Sequence, residues 1–479
     1  MPGSVTQARR LPALALHYGY SKSPAPGVLP MSSFLAHHFL RLPIAASMAL
    51  LSLPGFAISY GIYDSRALAM GGSAAAIGTY AQAAFYNPAL LAFHDEEEEA
   101  GRDGRVYLPT LVVQVSEATE TAVEAMDDNL DTQLSNAVDT FNAAPSIEGA
   151  AQIADSAQEL SDALDDIANQ DLNVDGFIGF NISEPSKREG GQFYFGTRLI
   201  GGGVANVTDA DSALLNDYID SMNQIAAGVD PATVAAQYPQ LINANGQLID
   251  PTGTLTSNAD VSALAISEWG MALAKQFEWR DYTIAIGITP KLMRVDAFRD
   301  TADFNDSLDS VEDGVDGLSD TQATHITLNA DFGVAAIIKD HYRVSLTLKD
   351  AFEKSFTTTQ QPDPVTGETP PDLTVTLSSR ARLGMGYVAE KFSVGLDYDL
   401  GEATPMASEP GTQELGLGVE YLVIDGLALR AGFRNDLTGL RDNLLSGGLG
   451  YQWKRFVVDV AYVGGGDYRG GGLQLGWTF

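Results

Sequence analysis

Residues 473–479 read Leu473-Gln474-Leu475-Gly476-Trp477-Thr478-Phe479. The two leucines, the tryptophan and the phenylalanine fall on one face. Glutamine, glycine and threonine fall on the other. Strict alternation of this kind is the period of a half-buried β-strand. The rhythm runs back up the chain. Phe456, Val458, Val460 and Tyr462 oppose Val457, Asp459 and Ala461, and Leu427, Leu429, Ala431 and Phe433 oppose Ala428, Arg430, Gly432 and Arg434. Fourteen such segments can be traced: 104–115, 173–183, 191–201, 259–276, 280–297, 322–338, 342–350, 373–388, 391–400, 412–423, 427–435, 444–453, 456–464 and 470–479. In the fourth, Leu264 and Ile266 are out of phase with Trp269, Met271 and Leu273, which predicts a bulge.

Three features favour a membrane barrel over a soluble sandwich. Most segments have about the ten residues that a tilted spanning strand needs. Aromatics gather near segment ends, as in an interfacial girdle: Tyr387, Tyr398, Tyr421, Trp453, Trp477 and Phe479. The connections alternate long (116–172, 202–258, 298–321, 351–372, 401–411, 436–443, 465–469) and short (184–190, 278–279, 339–341, 389–390, 424–426, 454–455). Outer-membrane barrels put tight turns on the periplasmic side and long loops outside, and their strand number is even. The predicted fold class is therefore all-β: a transmembrane antiparallel barrel of fourteen strands, in the outer membrane of a Gram-negative bacterium. Leu475, Trp477 and Phe479 read as the terminal signal for the barrel-assembly machinery.

The charge agrees. The chain of 479 residues has 28 Lys+Arg against 62 Asp+Glu, a net −34, and no cysteine. Such a balance argues against nucleic acid as a partner. The lack of cysteine excludes disulfides, Cys-ligated zinc and thiol catalysis. Roughly half the acids lie in four long connections, and 116–172 alone holds 14 acids with no Lys or Arg. Those loops would face lipid and lipopolysaccharide, with divalent cations between.

Two long connections change period. Val123, Met126, Leu130, Leu134, Val138 and Phe141, then Ile153, Leu160, Leu164 and Ile167, recur at helical spacing within 116–172. Residues 211–227 and 231–243, within 202–258, form a weaker pair. Each pair either packs on itself as a cap or edges an apolar groove at the mouth.

The beginning of the chain is organised differently. Residues 42–57 form an uncharged apolar run after Arg41, with Gly55 and Ala57 placed for signal-peptidase cleavage after Ala57. Met31 is a candidate start, and 1–57 is expected to be extension plus signal. Residues 58–103 follow as a buried segment and an acidic linker, and 104–479 as the barrel. Within 58–93 stand Asp64-Ser65-Arg66-Ala67-Leu68-Ala69-Met70-Gly71-Gly72 and Ala84-Phe85-Tyr86-Asn87-Pro88-Ala89-Leu90-Leu91. Asn-Pro is a turn former.

These two stretches resemble the N-terminal hatch of the FadL-like outer-membrane superfamily. The resemblance is closest to the branch called conjugal transfer protein TraF, with PorV-type proteins as relatives. It implies a fourteen-stranded barrel plugged by a hatch, with Arg66, Gly71, Gly72, Asn87, Pro88 and Ala89 as the hatch motif. FadL-type proteins pass hydrophobic molecules through a kink in the third strand; here Gly201-Gly202-Gly203 end that segment.

The polar face of the strands carries Arg343, Lys349, Arg380, Arg382, Arg430 and Arg434, with Asp397, Asp399, Glu414, Glu420 and Asp459. These residues are expected to line the lumen, either paired within a plugged interior or as a selectivity lining. No cofactor and no metal is expected: the Asp-rich loop 298–321 lacks EF-hand spacing, and Glu96–Glu99 reads as a solvated run. Three functions follow as expectations. The first is a channel for hydrophobic or small molecules. The second is an accessory that binds an envelope protein complex in conjugation or secretion. The third is a hydrolase built on His325 and Asp331, which has no Gly-x-Ser-x-Gly elbow to support it. His94 and His341 carry no assignment.

Overall fold

The structure, a computed structural model, describes residues 58–93, 104–168, 170–185, 188–280, 282–304, 322–357, 372, 374–403, 411–466 and 468–479. The expected signal segment, His94, Glu96–Glu99 and most of the Asp-rich loop lie outside these residues. The strands are β1 (Arg105–Ser116), β2 (Asp171–Pro185), β3 (Glu189–Asn206), β4 (Asn258–Trp279), β5 (Tyr282–Asp303), β6 (Ala323–Ile338), β7 (Tyr342–Lys349), β8 (Lys354–Thr357), β9 (Thr374–Leu377), β10 (Arg380–Val388), β11 (Phe392–Asp399), β12 (Glu414–Ile424), β13 (Leu427–Asp436), β14 (Leu444–Trp453), β15 (Phe456–Gly465) and β16 (Tyr468–Thr478). All but β8 and β9 close into one antiparallel barrel, sealed by β1 pairing with β16. Closure satisfies every edge, so the backbone can sit in hydrocarbon.

The apolar face of each strand points outward. Leu429, Leu449, Val460 and Leu473 are among the large apolar residues exposed on the barrel exterior. At the end with the short turns the exterior is aromatic. Register places Trp279 opposite Tyr282, Tyr342 opposite Tyr387, Phe392 opposite Tyr421, and Phe456 opposite both Trp453 and Trp477. This is the interfacial girdle. The end with the long connections is called the outer end below.

Three expectations change. The segment 373–388 is two strands. Arg380 pairs with Lys349, the last residue of β7, so the chain before Arg380 has no wall to join. The two overhanging pieces pair with each other instead, as the β8–β9 hairpin. The predicted bulge in the fourth segment is absent: β4 keeps one register with β3 and with β5 along its length. The phase break arises because Leu264 and Ile266 face inward, while Trp269, Met271 and Leu273 face out. A register shift does occur in β1, between Tyr107 and Thr110. It spans Leu108-Pro109, where proline's missing N–H suits an unpaired position. The Gly201-Gly202-Gly203 run lies within β3 in unbroken register with β2 and β4.

The β1–β2 connection carries helices Glu117–Asp127, Leu130–Ala143 and Ile147–Ile167, and the β3–β4 connection carries Asp209–Ala226 and Pro231–Gln237. Ser116, Ser146 and Thr208 cap three of them through side-chain oxygens. The first arm breaks at Asn129, where φ is 51°. The two connections do not pack separately. Leu134, Val138, Phe141, Ile153, Leu160 and Leu164 share one core with Leu215, Ile219, Met222 and Ile225. Burial of each such side chain contributes roughly 1.5–3 kcal/mol. The stripes are thus consumed by one another, and they form a helical crown rather than an apolar groove. Val123 alone of the first stripe is plainly exposed.

Candidate functional site

Residues 58–93 run inside the barrel. Nearly all are buried, and they form α1 (Ser65–Ala69), α2 (Ala83–Tyr86) and two short 3-10 turns. Small residues dominate the segment because backbone must pass close to backbone. Asp64 caps α1, accepting from the Ala67 N–H at 2.9 Å. Gly71 and Gly72 then turn the chain at φ +61° and +83°, conformations that glycine adopts without a Cβ penalty. A Cβ on Gly71 would lie 2.5 Å from the Phe433 carbonyl oxygen. One on wall residue Gly432 would lie 2.1 Å from the Gly71 nitrogen.

Asn87, Pro88 and Ala89 grip the opposite wall. Asn87 Oδ1 accepts from the Ala89 N–H at 3.0 Å, and its Nδ2 donates to the Ala75 carbonyl at 3.0 Å. Pro88 starts the 3-10 turn Pro88–Ala92, where its missing N–H costs nothing. A Cβ on Gly333 would lie 2.0 Å from Asn87 Oδ1, and one on Gly287 would lie 2.4 Å from the Pro88 carbonyl carbon. The glycines of the strands' polar faces are therefore contact points for the segment inside.

Arg66 is the charged anchor of this inner segment. Its Nε and Nη2 reach the two oxygens of Glu420, each at 2.9 Å, and its Nη1 donates to Gln82 Oε1 at 2.9 Å. Glu420 also accepts from Arg430, which bonds Asp459 in turn. Arg382 pairs with Asp399 and lies 3.5 Å from Glu414. Arg434 donates to Gln114 at 2.6 Å and lies 3.6 Å from Glu414. Asp397 binds the inner segment directly: its Oδ2 accepts from the Ala74 and Ala75 N–H groups at 2.9 and 2.8 Å. Arg380 bonds Asp350 and the Ser59 carbonyl. The Arg343 guanidinium lies 5.8 Å from the Phe93 ring centre.

A second ionic cluster was not expected. Lys291 Nζ, wholly buried, lies 3.0 Å from Glu268, 3.0 Å from Asp331 and 2.7 Å from Asp350. Tyr194 donates to Glu268, and Lys349 donates to the Phe85 carbonyl, both at 2.9 Å. The available signal was Lys291 itself: a lysine amid a spanning strand needs partners. Burial pushes the Tyr60 and Tyr86 hydroxyls well up and raises the Asp64 carboxyl as well.

The segment separates two polar cavities. The outer one, about 560 Å³, has Tyr60 and Ile62 on its floor, with Gln114, Asn173 and Arg434 in its wall. The other, about 520 Å³, opens at the short-turn end among Arg66, Gln82, Glu420 and Arg430. On the β3–β5 side the outer lumen is apolar. Ile200, Leu264, Ile266, Met293 and Val295 are covered there by Ile58 and by Phe356 and Leu377 of the β8–β9 hairpin.

His325 and Asp331 do not meet. The His325 ring lies 4.9 Å from that of Phe356, while Asp331 is held by Lys291, six positions and roughly 20 Å along the same strand. Leu475, Trp477 and Phe479 point outward at 38%, 40% and 43% exposure, and the Phe456 ring meets Trp477 edge-on at 4.4 Å.

Several solved structures are similar to this chain at low identity. The P. putida toluene transporter TodX is 11% identical, with a TM-score of 0.40, covering 88% of this chain and 98% of its own. A Pseudomonas aeruginosa FadL homologue is 10% identical, with a TM-score of 0.42, covering 89% and 99%. The CymD monoaromatic hydrocarbon channel is 10% identical, with a TM-score of 0.41, covering 88% and 98%. No curated protein matches the sequence. The family described as "F plasmid transfer operon, TraF, protein" matches over residues 84–399, more than half the chain, and the chain therefore belongs to that family.

Proposed function

We propose that this protein is an outer-membrane channel for small molecules, kept closed by its own N-terminal segment. One observation carries the reading: residues 58–93 stand between two polar cavities of about 560 and 520 Å³, with Ser59, Tyr60 and Ile62 facing one and Arg66, Thr79 and Gln82 the other. A barrel built only as a membrane anchor has no need of a polar chamber on each side of a plug. Passage requires the segment to shift, and among the contacts that resist this are the Arg66–Glu420 pair, the Ala74 and Ala75 N–H bonds to Asp397 and the Asn87 Nδ2 bond to the Val334 carbonyl. Hydrophobic molecules fit the apolar side of the outer lumen if they displace Phe356 and Leu377.

Planar-bilayer recording tests the reading. Wild type should be mostly closed. Arg66→Ala, which leaves Glu420 with Arg430 and the Ser393 hydroxyl, should raise open probability severalfold without changing the amount inserted. Traces identical to wild type for both Arg66→Ala and Asn87→Ala would overturn it.

A second reading is an accessory that binds an envelope complex, and the crown favours it. That crown is a folded outward unit whose β1–β2 arm carries many acids and no base. The family's description concerns plasmid transfer, so conjugation is the process to test. Cross-linking should then give a defined partner that is lost when the crown is truncated and retained when the hatch is loosened.

A further inference from the structure

We infer that the β8–β9 hairpin is a section of barrel wall folded inward, with a second docking place on the free edge of β6. The inference concerns where the hairpin sits, and it holds whether or not anything passes the inner segment. The hairpin is built like wall. Where β7 pairs with β10, Val344 faces Met385 and Leu346 faces Leu383 on the outward side. In the hairpin Lys354 faces Leu377 and Phe356 faces Val375, so even positions of the rising strand again share a side with odd positions of the returning one. The other side is polar: the Ser355 and Thr376 hydroxyls lie 2.9 Å apart, and those of Thr357 and Thr374 3.3 Å. The alternation of the wall therefore continues in phase through the hairpin. Yet Phe356 and Leu377 are buried, turned onto the apolar wall of the lumen instead of outward.

The bend lies at Asp350. Its φ is +52°, a conformation that residues with a Cβ rarely adopt. Such a residue persists only where its surroundings hold it, and here they do. The buried carboxylate meets Lys291 Nζ at 2.7 Å and the Arg380 guanidinium, and the Asp350 N–H donates to Asp331 Oδ1 at 2.8 Å. Arg380 also donates to the Ile58 and Ser59 carbonyls, so the same lock touches the inner segment.

A place for the hairpin is open in the wall. β6 pairs with β7 only from Phe332 to Ile338, and among the described residues no strand pairs with that edge from Ala323 to Asp331. The Ala351 N–H donates to the Ala330 carbonyl at 3.0 Å, so the even-numbered residues of β6 turn their backbone groups to this edge. Ile326 and Leu328, each 70% exposed, mark its open length. Such an edge is a template for strand addition. β8 already stands beside it, with the His325 and Phe356 rings 4.9 Å apart. Extending the β6–β7 register six residues beyond Phe332 and Leu348 sets Lys354 opposite Ile326 and Phe356 opposite Thr324. In that register Phe356 joins the outward face, and the lumen patch of Leu264, Ile266 and Val295 loses its cover.

Asp350→Asn in the full chain, in neutral detergent, tests this through two signals of opposite sign. The chain has no cysteine, so Leu377→Cys supplies a single thiol for a water-soluble maleimide. Labelling should be slow in the otherwise wild-type background and at least tenfold faster with Asp350→Asn. A thiol at the buried wall position Ala285 (Ala285→Cys) should stay slow in both. In Asp350→Asn the Ile326 and Leu328 amides should exchange at least threefold more slowly, because the upright β8 takes up their N–H groups. Leu264→Ser spoils the inner docking place while leaving hinge and hairpin unchanged, and it should move both signals the same way. Heat-modifiable migration in electrophoresis shows which variants are folded, and either folded variant decides. Faster labelling without slower exchange at Ile326 and Leu328 would overturn the proposal, since the hairpin would merely fray. So would no change in either signal, or equal acceleration at Ala285→Cys, which would mean a loosened barrel.

Discussion

Asn87 divides its amide between two tasks: the oxygen caps the following turn, and the nitrogen ties it to Ala75. Asn87→Ala removes the cap and leaves the Ala75 carbonyl and the Ala89 N–H unpaired inside protein. A cap is worth about 1 kcal/mol, and an orphaned buried group about 1–3 kcal/mol. The expected cost is on the order of 2–4 kcal/mol, confined to residues 58–93. Hydrogen exchange reads it directly: the Ala89 and Leu90 amides should exchange far faster while wall amides in β5 and β6 keep wild-type rates. Asn87→Asp keeps the acceptor but sets a buried carboxylate oxygen against the Ala75 carbonyl, so it should accelerate exchange at least as much. Uniform acceleration across the barrel would show that Asn87 supports the wall rather than the turn. The lumen charges obey the same arithmetic. Removing one partner of a buried pair costs about 3–5 kcal/mol, so Arg66 and Glu420 should be far less tolerant than the exposed Lys275–Glu189 pair.

At the scale of elements, the crown has its own pH dependence. Asp211 is 2% exposed and sits where the helix Asp209–Ala226 begins. Burial would raise its carboxyl, but the Ser257 and Thr256 hydroxyls and N–H groups donate to it and hold it below the ordinary value. A carboxyl depressed in the folded state stabilises fully above its unfolded pKa of about 4. That contribution is lost as pH falls through the lower folded value. Limited proteolysis within 207–257 should therefore accelerate below about pH 4, and Asp211→Asn should show fast cleavage at every pH. Equal cleavage of both proteins at pH 7 would remove Asp211 from this role. The strands themselves were legible because alternation and loop length are local properties. The crown's helices were legible too, but not their partnership, since a helical stripe does not say which other stripe will cover it. Residues 373–388 were misread for a related reason: β9 and β10 both alternate, and only the height of β7 decides which joins the wall. Leu264 and Ile266 broke phase because the lumen there is apolar, filled by Ile58 and the β8–β9 hairpin. A segment distant in sequence supplied the reason, which a period cannot carry. The Lys291 cluster was hidden likewise, its four charges coming from β4, β5, β6 and the turn after β7.

For the whole molecule, closure depends on the last strand finding the first, because β1 pairs with β16 through a register that shifts at Leu108-Pro109. Phe479 donates its N–H to the Gly104 carbonyl at 2.9 Å, and its ring lies where a Cβ on Gly104 would fall, 2.4 Å away. Its side chain is nonetheless 43% exposed on the exterior. A residue half in contact with lipid contributes little to the finished barrel, so truncating it to alanine should change stability by no more than about 1 kcal/mol. We propose that its alternating pattern with Leu475 and Trp477 acts instead before closure, as an unfinished edge for an assembly factor to pair with. Unpaired edges are the vulnerable feature of any incomplete sheet. Phe479→Ala is therefore expected to lower the heat-modifiable barrel recovered from cell envelopes severalfold. The same variant refolded in detergent should melt within a few degrees of wild type. Equal recovery from envelopes would remove the signal role. A large loss of melting temperature in the purified barrel would instead make Phe479 a structural lock on the β1–β16 seam.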